Sequence, residues 1–157
     1  MSQTLLIPIH EQQLQTIIQA VTFETVNFSA NIGYANSGLT DPYCFITAGE
    51  VKPNLENGNT FDSNTYYRAY EYDITFVFSY ATDGNPNNAQ EARINTVTEL
   101  ILNTLQSNSV RNNSNWNDLI VTSVTPAFNP DPSFKDNLLY KTFSVEIRNF
   151  ISISTLP

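Results

Sequence analysis

The sequence predicts an α+β fold, a single two-layer domain spanning residues 1–157, with two amphipathic helices packed on one face of a mostly antiparallel β-sheet. Three observations predict it. Two long stretches, 66–80 and 139–153, alternate apolar and polar residues with period two. Two other stretches repeat apolar residues at helical spacing, and no linker or internal repeat divides the chain. A chain of 157 residues is also long enough to bury roughly 70% of the surface its unfolded form exposes.

The first helical stretch starts at Pro8, a residue suited to a first turn, and places Leu14, Ile17, Ile18 and Val21 at i, i+3, i+4 and i+7. Its other face carries Gln12, Gln13, Gln15, Thr16 and Gln19. That face has no cation to meet lipid headgroups, so the helix is expected to lie on a sheet. Residues 23–28 and 43–47 are short β-branched and aromatic runs, read as two strands joined by the turn-rich 31–38. Residues 52–64 carry Pro, Gly and Asn without periodicity and read as an exposed loop, a candidate arm toward a neighbour in an assembling protein.

In 66–80, Tyr70, Tyr72, Ile74, Phe76, Phe78 and Tyr80 alternate with Ala69, Glu71, Asp73, Thr75, Val77 and Ser79, the pattern of a sheet covered on one side with the other facing water or a wet interface. Asn85 and Pro86 suit the cap and first turn of a second helix, whose core stripe is Ile94, Val97, Ile101 and Leu105. Leu100 and Leu102 flank that stripe and widen the apolar arc. They point either to a partner or to the first helix of the same subunit. After the polar stretch 107–117, residues 119–125 read as a strand ending at Pro126, and Asn129, Pro130, Asp131 and Pro132 forbid regular structure. In the last strand Phe143, Val145, Ile147 and Ile151 face one way, and Thr142, Ser144, Glu146 and Arg148 the other.

Fifteen acidic residues against seven basic give a net charge of −8, with the Lys and Arg scattered singly. Tight binding to phosphate backbones draws its affinity from clustered cations and is disfavoured, whereas an acidic surface can line a passage through which DNA slides. Only 14% of residues are charged, so much of the polar surface is neutral, supplied by Asn-rich runs such as 85–88 and 112–115. Cys44 has no disulfide partner, and no Cys/His spacing suggests zinc. The N-terminal residues lack the basic and long apolar regions of a signal peptide, and no stretch approaches the ~20 apolar residues of a membrane span. A protein folding in cytoplasm, with no membrane contact, is the expectation.

Chemistry-bearing residues are sparse. The one histidine, His10, stands near a helix start, where a surface or capping role is expected ahead of catalysis. Cys44 lies in an apolar strand and reads as a buried, inert thiol. Glu71 and Asp73 share one strand face, where they either sit solvated or hold a divalent cation. The tyrosines Tyr66, Tyr67, Tyr70 and Tyr72 lack the neighbouring cations of a nucleic-acid stacking platform, so core and interface roles come first. No phosphate-binding glycine loop is present, and no cofactor is expected.

The order of elements resembles the tail terminator proteins of long-tailed phages across nearly the whole chain. The resemblance rests on Leu14-Gln15-Thr16-Ile17-Ile18, on the strand from Tyr70 to Phe78, on the helix at 91–105, on Ile120-Val121-Thr122 and on Phe143-Ser144-Val145-Glu146-Ile147. It implies a non-enzymatic virion protein at the head-tail junction, a homohexameric ring that caps the tail tube protein and joins the head-completion or connector protein while DNA passes through. Six copies at −8 each carry −48 charges, which buried area, hydrogen bonds or salt must offset. The expected channel or inter-subunit face is Glu71, Asp73, Thr75, Thr142, Ser144, Glu146 and Arg148, with Glu146 and Arg148 pairing either across subunits or at an ordinary surface. Rival readings are another ring of the virion (head-closure, tail-completion or tail-tube subunit), a carbohydrate-binding or adhesion module using the tyrosines, and a small metal-dependent hydrolase built on Glu71, Asp73 and His10.

Overall fold

The computed structural model describes residues 5–33, 43–53, 60–62, 65–79, 88–108, 115–127 and 138–152. The expected turns at 34–38, the Asn85–Pro86 helix start, residues 85–87 and 112–114 of the Asn-rich runs and the Pro-rich 129–133 lie outside them, as do the side chains of Tyr66 and Tyr67.

The α+β expectation holds. Helix α1 (Leu6–Gln19) is followed by a minimal hairpin, β1 (Thr22–Phe23) and β2 (Val26–Asn27), and then by β3 (Ser29–Ile32) and β4 (Tyr43–Lys52). Strand β5 (Thr60–Asp62), the long β6 (Thr65–Ser79), helix α2 (Asn88–Ser107), β7 (Asp118–Val124) and the long β8 (Leu138–Ser152) complete the order. The main sheet runs β3-β4-β6-β8-β7, with β5 pairing to β6. Among the described strands, only β3 and β4 pair in parallel. β6 and β8 pair over all fifteen residues of each without a slip, the longest ladder in the molecule.

Both helices cover the same face. His10, Leu14, Ile17 and Ile18 of α1 are buried, as are Ile94, Val97, Ile101 and Leu105 of α2, against Tyr72, Ile74, Phe76 and Phe78 of β6 and Phe143, Val145 and Ile147 of β8. Burying each aliphatic or phenylalanine side chain among these stabilises by about 1.5–3 kcal/mol. Leu100 and Leu102 are half-buried on the flanks of α2 and pack on this core. Among the described residues, no helix is long and apolar enough to cross a membrane.

Three local expectations are corrected. Residues 23–28 form no continuous strand: the chain reverses at Glu24 and Thr25, both at positive φ (51° and 67°), as a two-residue hairpin turn demands. Arg93 of α2 holds this turn, its Nε 2.6 Å from Glu24 Oε1 and its guanidinium 5.6 Å from the centre of the Phe23 ring. Residues 52–64 are not loop throughout, since 60–62 pair with β6. The polar stretch 107–117 contains the buried Trp116, whose indole N–H donates to the Asn108 carbonyl at 2.9 Å.

Candidate functional site

The seven residues expected on a shared face do meet there. β6 and β8 pair in register, so their odd and even positions respectively fall on the side away from the helices, in rows across the sheet. Thr75 stands opposite Thr142, with hydroxyl oxygens 3.0 Å apart. In the next row Ser144 donates to Asp73 Oδ1 at 2.7 Å. Then Glu71 stands opposite Glu146, a like-charge pair that opposes strand pairing unless a cation attends each carboxylate. Lys52 of β4 reaches Glu71 at 3.4 Å, and Arg148 reaches Glu146 at 3.0 Å. Both cations flank Ala69 in the adjacent row, a residue small enough to be fully covered between them.

This face is drier than the alternation implies. Ala69, Thr75, Val77 and Glu146 are buried, because β6 and β8 are central strands and larger neighbours lie over them. Phe45 of β4 and Tyr140 of β8 approach edge to face across β6, 6.5 Å between ring centres, beside Thr75 and Val77. The Glu146–Arg148 pair forms within one strand of one subunit. A carboxylate only 7% exposed requires such a partner, since an uncompensated buried charge is strongly destabilising.

On the helix side lies a polar cluster that the sequence reading missed. His10 is fully buried, which overturns the expected surface or capping role. Helix α1 starts at Leu6, two residues earlier than expected, and His10 precedes Leu14 by four residues and Ile17 by seven, on the same stripe. That spacing was the available signal. His10 Nδ1 lies 2.7 Å from the Tyr72 hydroxyl and Nε2 lies 2.8 Å from Asn149 Oδ1. Asn149 Nδ2 donates to the Asn115 carbonyl, which leaves its Oδ1 as acceptor and makes Nε2 the protonated nitrogen. Nδ1 then accepts from Tyr72. Burial drives the His10 pKa down from 6.5 to about 4, against the opposing pull of the Asn149 bond, and the same burial raises that of Tyr72. The imidazole edges also meet the rings of Tyr70, Tyr72 and Trp116.

His10 therefore lies on the opposite side of β6 from Glu71 and Asp73, and these three residues form no common site. Cys44 is fully buried, with its thiol pKa pushed up by burial, as its apolar strand predicts. Tyr70 and Tyr72 are core residues. Among the described residues, no three His, Cys, Asp or Glu side chains converge as a metal-holding group. No family model matches the chain, and no curated protein matches it.

Proposed function

We propose that this protein is a structural virion subunit that works by assembling with its own copies into a ring, the ring that terminates a phage tail tube and joins it to the head connector. The carrying observation is the open sheet face, where Asp73–Ser144, Thr75–Thr142, Lys52–Glu71 and Glu146–Arg148 form a pre-ordered polar surface on a rigid fifteen-residue ladder. Such a surface suits contact with a neighbour or a wall along which DNA moves without sticking. The use made of the reactive residues supports the same reading. His10 holds α1 to the sheet through Tyr72 and Asn149, and Cys44 fills the core.

Light scattering at micromolar concentration, followed by negative-stain imaging, tests the proposal. Discrete rings that bind one end of a tail tube and stop its growth are the expected result. Long filaments of stacked rings would indicate a tube subunit instead. A lone subunit at high concentration, alone and with tail tubes, would overturn the proposal.

A further inference from the structure

We infer that neighbouring copies join edge to edge, with β7 of one subunit adding as a strand to the second half of β4 of the next, so that one sheet continues through successive subunits. This deepens the ring reading above and rests on it. Among the described residues, the second half of β4 and the whole of β7 each have one side without a strand partner. β3 pairs with β4 only from Tyr43 to Ile46, and Gly33 ends that pairing with its N–H on the Ile46 carbonyl at 2.7 Å. Beyond it β4 continues to Lys52, and among the described residues nothing pairs with its outer side. At the other end β7 pairs only with β8, and its outer side is likewise uncovered among the described residues.

The two edges match in height, direction and face. Asp118 pairs with Arg148, Arg148 with Ala69, and Ala69 with Lys52, so Asp118 and Lys52 occupy one row of the sheet. At the other limit Val124, Phe143, Ile74 and Ile46 share a row. β7 thus spans the stretch of β4 that β3 leaves bare. Three successive antiparallel pairings make β7 antiparallel to β4. A copy displaced sideways therefore presents β4 to β7 as an antiparallel neighbour, with the same sides of both sheets aligned. Each edge also carries one extra residue, at Gly49–Glu50 in β4 and Thr122 in β7. Lys52 and Asp118 lie on the open face, so the seam sets opposite charges side by side.

Head-to-tail copies close into a ring when each step combines a rotation that divides the full turn with no translation along the ring axis. Edges level with one another allow such a step, whereas an axial displacement would generate a helix. The β4 edge also bears apolar surface to bury. Leu5 is 63% exposed and Val51 39%, and both line a cavity of about 450 Å³ with Leu6, Ile7, Pro8 and Pro53. Strand addition beside an apolar pocket gives affinity through the main chain and selectivity through the pocket.

Thr47 and Ser123 also share a row, through Asp73 and Ser144. Across the seam their Cα atoms would stand about 4.5–5.5 Å apart, within the range that a disulfide bridges. The test oxidises the Thr47→Cys/Ser123→Cys double variant and each single variant at assembling concentration. Hydrogen exchange of the unmodified protein is followed at 47–52 and 118–124 in parallel. The expected result is a ladder of covalent oligomers from the double variant alone, with exchange at both edges slowed by about tenfold or more on assembly. Rings that form without cross-linking or edge protection would overturn this inference and leave the assembly reading intact. Dimers from a single variant would overturn it as well, because they indicate a two-fold contact. A protein that never associates would sink both.

Discussion

Lowering the pH from 7 to 5 should weaken this fold through His10. The folded protein keeps the imidazole neutral until about pH 4, whereas the unfolded chain protonates it below 6.5. In that interval the unfolded state binds more protons, so stability falls as pH falls, beginning near 6.5 and levelling off below 4. The gap predicts a loss of about 2 kcal/mol between pH 7 and pH 5, rising to about 3 kcal/mol by pH 3. Against the roughly 5–15 kcal/mol typical of a domain, that is a large fraction. Geometry supports the sign. A protonated ring would need two acceptors, and the Tyr72 hydroxyl that now donates to Nδ1 would have to turn its proton away. Urea unfolding at pH 7 and pH 5, for the natural protein and for His10→Phe, isolates the effect from the carboxylates. The variant should be less stable at pH 7 by about 1–3 kcal/mol, because Tyr72 and Asn149 lose their partner, yet its stability should vary less with pH. His10 is the only histidine, so its NMR titration is unambiguous. Equal acid sensitivity in both proteins, or a folded-state titration near 6.5, would refute the reasoning.

Other predictions follow from the same contacts. Arg148→Met leaves the buried Glu146 carboxylate beside Glu71 without its guanidinium and should destabilise by about 3–5 kcal/mol, with Glu146→Leu added to it restoring much of the loss in a denaturation cycle. Thr25→Gly relieves a β-branched residue at φ 67° and should raise stability by about 1 kcal/mol, read as an increase in melting temperature. Thr75→Val should cost about 1 kcal/mol by stranding Thr142, while Thr75→Val/Thr142→Val should come closer to the natural stability in the same assay.

The long elements were legible because their periodicity spans many turns or rows. Strands at 66–80 and 139–153 were placed within one residue of β6 and β8, and the shared face followed from counting alternate positions. Periodicity cannot reveal which strands become neighbours. The burial of Thr75, Val77 and Glu146 depends on residues brought alongside from β4 and β8, and so escaped the alternation rule. His10 escaped for another reason. Polarity placed it outside the apolar stripe, and its partners Tyr72 and Asn149 lie 62 and 139 residues away. The hairpin at Glu24 and Thr25 carries neither Gly nor Asn at its bend, so nothing local announced a reversal that Arg93 helps to hold.

The place of β8 in the sheet bears on how the chain is made. Of the described strands it comes latest in the chain, yet it fills the gap between β6 and β7. Until it emerges from the ribosome, the tyrosine-rich β6 has one bare flank fifteen residues long, and β7 has no strand to join. Such a flank invites mispairing between nascent chains, and closing it requires a contact between distant parts of the sequence, which is slow. Efficient production of this protein therefore depends on translating quickly from β6 through β8, or on shielding β6 until its partner strand arrives.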